Sequence, residues 1–100
     1  MGESVSLNTR FSKSDDFVTR KVGGDTLIVP IKGGISDLEA IYTLNEVGSL
    51  IWTLIDGERT AEQIVYAICA DYEVNRETAT ADVLTLITEL ETEGIIRQKD

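Results

Sequence analysis

Residues 42–57 read YTLNEVGSLIWTLIDG, and they decide the fold because a strand pattern changes into a helix pattern within them. Tyr42 and Leu44 alternate with a polar residue, as on a half-buried strand. Asn45 is a good helix N-cap, since its side-chain oxygen can accept from free backbone N–H groups. Apolar residues at helical spacing follow, and Asp56-Gly57 ends this predicted helix. The apolar positions with that spacing are Val47, Leu50, Ile51, Leu54 and Ile55.

The residues before this stretch predict an antiparallel sheet. Residues 17–22 and 26–31 are rich in β-branched and apolar residues, and Gly23-Gly24 between them suits a two-residue hairpin turn. Residues 39–44 form a third predicted strand, which lies at an edge of the sheet. Residues 1–16 are polar and weakly patterned, and we predict that they form a flexible N-terminal arm.

The residues after it predict two further helices. Thr60 and Gln63 have the spacing of a capping box, which opens the second helix. Asn75 can cap a third helix that runs to about Glu93, and Gly94 stops it. Residues 95–97 are apolar enough for a short terminal strand or a packed tail. The predicted core stripe of the third helix is Ala79, Val83, Leu86, Ile87 and Leu90.

Strands followed by helices predict an α+β fold, with a three-stranded antiparallel sheet before a three-helix bundle. A strand hairpin beside the last two helices gives a winged-helix-like arrangement. The predicted domain spans residues 17–97.

Composition indicates one small domain in a reducing compartment. The chain has 100 residues, of which 42% are hydrophobic, enough for one core. Cys69 is the single cysteine, so no disulfide can form within the chain, and a small core residue is its expected role. No apolar run reaches the ~20 residues of a membrane span. We therefore expect a cytoplasmic protein with no membrane association.

The net charge of −9 is unevenly distributed. Residues 1–32 carry five basic and four acidic side chains, whereas residues 33–100 carry four basic and fourteen acidic ones. This excess is consistent with a solvated surface or with a field that steers a positively charged partner. In either case it argues against nucleic acid, which binds through Lys and Arg.

The sequence lacks the residue types and spacings that catalytic and metal sites commonly use. There is no histidine, and one cysteine without histidine cannot build a zinc site. Glu89, Glu91 and Glu93 alternate along a helix, so their side chains point in different directions. We expect no enzymatic activity, no metal and no cofactor.

The chain resembles a known family through the motif at residues 42–57. The Leu-Asn-Glu, Ile-Trp and Asp-Gly elements of this motif, followed by Thr60, are similar in order to the PqqD-like family, named after the pyrroloquinoline quinone biosynthesis protein D. The similarity continues through Ile64, Tyr72 and the apolar positions of the third helix to Ile95-Ile96, and it covers about residues 17–97.

The resemblance implies a role in the synthesis of ribosomally made, modified peptides. Members of the family capture the leader segment of a precursor peptide and present it to a modifying enzyme, often a radical S-adenosylmethionine enzyme. The leader adds as a strand to the edge of the third strand and lies against the third helix. Such β-augmentation is consistent with the predicted open edge.

The resemblance and the edge geometry together predict the peptide-binding residues. Backbone pairing is assigned to Glu39, Ala40, Ile41, Tyr42 and Thr43, and side-chain contacts to Thr80 and Leu84. Leu84 is equally consistent with the margin of a wide core face. Trp52 could also contact a ligand, but a core aromatic is the preferred interpretation.

Two other functions are compatible with the fold. A winged-helix DNA-binding regulator would use the third helix, whose acidic side chains oppose that role. A scaffold that docks on a larger protein would need no leader peptide. Because an exposed edge strand can also pair with a second copy, we expect a monomer or a weak homodimer.

Overall fold

The computed structural model describes residues 7–31 and 42–99. Over these residues the chain forms five strands and three helices. Their order is β1 (Arg10–Lys13), β2 (Phe17–Val22), β3 (Asp25–Pro30), β4 (Tyr42–Leu44), α1 (Glu46–Leu54), α2 (Ala61–Tyr72), α3 (Arg76–Thr92) and β5 (Ile96–Lys99).

The central sheet is antiparallel in the order β2-β3-β4. Gly23 takes the positive φ of +64° that the turn between β2 and β3 requires, which confirms the predicted hairpin. On β3 the alternate residues Thr26 and Ile28 are fully buried, and Ile28 lies opposite Tyr42. One face of this sheet therefore packs on the core.

Each helix begins at the cap that the sequence predicts. The side chain of Asn45 accepts from the N–H of Gly48 at 2.9 Å, and Asn75 accepts from Thr78 at 2.7 Å. Thr60 and Gln63 make both bonds of a capping box. Caps of this kind contribute about 1 kcal/mol each, and they fix where each helix starts.

The core lies between the inner face of the central sheet and the three helices. Helix α3 contributes its stripe at Ala79, Val83, Ile87 and Leu90, all fully buried. Burying an aliphatic side chain of this size contributes roughly 1.5–3 kcal/mol. The other buried core residues are Phe11, Ile28, Leu44, Ile51, Trp52, Ile55, Ala61, Ile64, Val65, Ile68, Ile95 and Ile96.

The N-terminal segment differs from the predicted arm. Within residues 7–16, strand β1 pairs antiparallel with β5, and Phe11 is only 1% exposed. The N–H groups of Ala61 and Glu62, in the first turn of α2, donate to the carbonyls of Thr9 and Leu7. The prediction was wrong here because β1 is short, carries a single inward apolar residue, and has its partner at the far end of the chain.

Replacement of Phe11 tests this placement. We expect Phe11→Ala to lower the free energy of unfolding by about 3–5 kcal/mol, because it leaves a cavity among buried residues. Ser12→Ala, on the same strand, should change it by less than about 0.5 kcal/mol. Urea unfolding followed by circular dichroism measures both values. Equal, small effects would show that this segment is peripheral to the fold.

Candidate functional site

A groove of about 460 Å³ lies between strand β4, the first half of α1 and one side of α3. It combines an apolar base with polar and acidic residues. Its lining residues are Tyr42, Thr43, Leu44, Asn45, Val47, Gly48, Ile51, Asp82, Thr85, Leu86 and Glu89.

The corner between β4 and α1 builds one wall of the groove. Asn45 alone separates the last residue of β4 from the first residue of α1. At Gly48 a Cβ atom would lie 3.3 Å from the Cβ of Leu44, closer than ordinary packing allows. Glycine at this position thus lets the helix start directly against the strand.

Helix α3 builds the opposite wall with one side of its surface. Asp82, Thr85, Leu86 and Glu89 follow one another at helical spacing beside the buried core stripe. Leu86, predicted as a core residue, is half-buried and lines the groove while it packs against the core. The groove therefore shares part of its base with the core.

The structure brings together only some of the residues predicted for peptide binding. Tyr42 and Thr43 line the groove, whereas Glu39, Ala40 and Ile41 lie outside the described residues. Thr80 and Leu84 do not line the groove, because on α3 they flank the core stripe on the side opposite Asp82 and Glu89. Leu84 instead packs against the core at its margin.

Strand β4 is the terminal strand of the central sheet. Its residues 42–44 pair with β3 along one side, and no other described strand pairs with them. The groove that separates β4 from α3 lies beside this edge, since Thr43 and Leu44 line it. A terminal strand beside a groove can accept an additional extended chain.

Tyr42 links the two walls of the groove. Its hydroxyl donates a hydrogen bond to Oε1 of Glu89. Burial of the phenol, this hydrogen bond and the negative charges of Glu89 and Glu93 raise the pKa of Tyr42 to about 12. The tyrosine thus stays protonated and holds the side chain of Glu89 beside β4.

The groove is acidic. Asp82 and Glu89 both line it, and among the described residues no Lys or Arg lines it. Arg59 and Arg76 form ion pairs elsewhere, with Asp56 and Glu62. Within the part of the chain that the structure describes, no group of three His, Cys, Asp or Glu residues could hold a metal ion.

Trp52 belongs to the core rather than to the groove, as the preferred interpretation of the sequence predicted. It is 5% exposed, and its indole N–H donates to Oγ1 of Thr19 at 3.1 Å. The ammonium of Lys13 lies 4.3 Å from the ring centroid, and burial there lowers the pKa of Lys13. Trp52 thereby connects α1 to strands β1 and β2.

Comparisons with known proteins agree with this architecture. The family described as coenzyme PQQ synthesis protein D (PqqD) matches residues 32–96. Among solved structures, TbiB1 in complex with the TbiA(beta) leader peptide superposes with a TM-score of 0.73 at 27% identity, covering 89% of this chain and 98% of that chain. No curated protein matches the chain. The predicted α+β fold, a three-stranded antiparallel sheet followed by three helices, is confirmed.

The hydrogen bond between Tyr42 and Glu89 should make the stability of the protein depend on pH. The folded protein holds the Tyr42 proton more tightly than the unfolded chain, where a tyrosine pKa is about 10. The resulting stabilisation is complete below pH 10 and is lost as the pH rises through about 12. We expect Tyr42→Phe to remove this loss, so that the difference in stability from wild type shrinks between pH 9 and pH 12.

Urea unfolding across this pH range, with tyrosinate absorbance at 295 nm, measures both effects. Tyr66→Phe is the matched control, because Tyr66 lies on α2 outside the groove. If the free energy of unfolding falls equally for the wild type and for Tyr42→Phe between pH 10 and pH 12, Tyr42 is not held as described.

Proposed function

The chain belongs to the family of coenzyme PQQ synthesis protein D, as its sequence predicts, and we propose that it is a non-catalytic module that binds the leader of a precursor peptide. The leader adds as a strand to β4, occupies the groove in front of α3 and is presented to a modifying enzyme, such as a radical S-adenosylmethionine enzyme.

One observation carries this proposal: the terminal strand of the central sheet borders a groove whose base is apolar. Backbone N–H and C=O groups on the free side of a terminal strand need partners, and an extended peptide supplies them. Each such bond contributes about 0.5–1.5 kcal/mol net. These main-chain bonds place few demands on the sequence of the peptide.

Side chains in the groove supply the remaining affinity. Alternate residues of an added strand point to the same face of the sheet, so every second leader residue would enter the groove. There the half-buried Val47 and Leu86 offer apolar surface above the buried Leu44 and Ile51. An aliphatic or aromatic leader residue buried against them adds roughly 1.5–3 kcal/mol.

The structural relative supports the same assignment. TbiB1 was solved with a leader peptide bound, and the alignment covers almost the whole of that chain. At 27% identity the resemblance extends beyond shared topology, and it supports a peptide as the ligand of the groove.

The surface of α3 argues against the alternative of a DNA-binding regulator. Asp82 and Glu89 are exposed on the side that lines the groove, and Arg76 at the start of the helix pairs with Glu62 at 3.2 Å. A helix with this charge would be repelled by phosphates.

Amide chemical shifts locate the binding site directly. We titrate the ¹⁵N-labelled protein with the leader segment of a short precursor encoded beside its gene. The amides of residues 42–44 and 82–89 should shift, because the proposed strand lies between them. The amides of β2, the other edge of the central sheet, should change little. Shifts confined to β2 or to the far side of α3 would overturn the site.

Two leucines on α3 provide a matched pair for measuring affinity. Leu86 and Leu84 are both half-buried against the core, but only Leu86 lines the groove. We expect Leu86→Ala to weaken leader binding roughly tenfold through lost apolar contact. Leu84→Ala should lower the free energy of unfolding by about as much as Leu86→Ala does. It should leave the affinity for the leader within about twofold of the wild-type value. Calorimetric titration gives the dissociation constants, and the opposite ranking would favour the side of α3 predicted from sequence.

A further inference from the structure

Resting on the proposed leader binding, we infer that the leader carries a lysine or arginine beside its apolar anchor residue, and that this cation pairs with Asp82 and Glu89. The basis is the combination of an apolar base and an acidic wall in one groove. The inference specifies the chemical class of peptide that the groove selects.

The negative charges form a line along one side of α3. Asp82 and Glu89 are seven residues apart, and Glu93 follows one turn later at the end of the helix. Glu93 is close enough to add to the negative field at Tyr42. Asp82 and Glu89 thus border the groove on the side where the leader would lie, and Glu93 adds to the negative field at its end.

This charge is not neutralised within the described residues. Asp82 makes no ion pair or hydrogen bond with another described side chain, and Glu89 receives only the neutral hydroxyl of Tyr42. The ion pairs of α2 and of the loop before it involve other carboxylates, Glu62 and Asp56. An incoming cation would therefore meet carboxylates for which no described Lys or Arg competes in the groove.

Spacing determines which leader residues can reach these carboxylates. Seven residues of helix separate Asp82 from Glu89 by about 10 Å along the axis. Inward side chains of an extended peptide recur about every 7 Å. One inward residue can therefore lie over Leu86 while the next inward residue reaches a carboxylate. The expected pattern is an apolar and a basic residue two positions apart.

The same charges exclude other peptides. A carboxylate at the basic position would face Asp82 or Glu89 at short range, and like charges in such a position are disfavoured. The field of a chain with net charge −9 also slows the approach of an acidic peptide. Selection against acidic leaders thus accompanies selection for basic ones.

An unbiased selection tests the inference with the intact protein. A display library of random 20-residue peptides is selected against the wild type, against Asp82→Asn/Glu89→Gln, and against Glu77→Gln/Glu91→Gln. The last variant is the matched control, since it removes two charges from α3 outside the groove. We expect Lys or Arg two positions from an apolar residue to be enriched with the wild type and the control, but not with Asp82→Asn/Glu89→Gln.

Affinities of one selected peptide then give the size of the effect. Each groove charge removed should weaken binding roughly fivefold at low salt, the equivalent of about 1 kcal/mol for an ion pair at a surface. Raising the salt from 0.05 to 0.3 M should weaken wild-type binding and have a smaller effect on Asp82→Asn/Glu89→Gln.

Failure of the inference is distinct from failure of the proposed function. Peptides that lose affinity with Leu86→Ala but show no basic preference would overturn the inference and leave leader binding intact. If no selected peptide is sensitive to Leu86→Ala, the groove does not bind peptides and both conclusions fall.

Discussion

The corner at which β4 turns into α1 is the contact on which the site depends. Leu44 is buried, Asn45 caps the helix, and Gly48 lets the first turn of α1 approach the strand. Because a single residue connects the two elements, the direction of the helix is tied to that of the strand. This tie places the side of β4 that pairs with no described strand beside a groove, with the β4–α1 corner as one wall and α3 as the other.

The groove divides affinity from selectivity. Backbone pairing along β4 and apolar contact with Leu86 would hold a wide range of extended peptides. The carboxylates of Asp82 and Glu89 would discriminate among them, since charged groups contribute more to the choice of partner than to total affinity. The hydrogen bond from Tyr42 keeps Glu89 on the strand side of the groove, so the strand proposed to pair with the leader also positions the carboxylate proposed to select it.

The predictable parts of the fold are those whose signals are local. The caps at Asn45, Thr60 and Asn75 and the turn at Gly23 each depend on a few neighbouring residues, and all four are confirmed. Strand β1 was missed because its partner, β5, lies more than eighty residues away and its sequence shows little alternation.

Only part of the candidate site was predicted, because the rest also depends on contacts between distant segments of the chain. The family resemblance and the alternation at Tyr42 and Leu44 identified the strand, and Tyr42 and Thr43 line the groove. The helical stripe of α3 has two margins, and its spacing does not reveal which of them faces β4. That choice depends on how α3 packs across the sheet, and Thr80 and Leu84 lie on the margin that does not line this groove. The sequence offered one signal for the margin that faces β4. Asp82 and Glu89 are acidic residues seven positions apart, and the apolar Leu86 lies between them.

Strand addition at β4 would also determine what a modifying enzyme encounters. Tyr42 and Leu44 point inward and Thr43 is exposed, so an added leader would direct alternate residues into the groove and the others to the outer face of the sheet. That outer face already carries Val18, paired with Val29, and Arg20, paired with Leu27. Val18 and Val22 on β2 are 40% and 59% exposed, which gives this face apolar surface at the edge opposite the one where the leader would lie. A bound leader would therefore be held by one half of its side chains while the other half enlarges a surface open to a second protein.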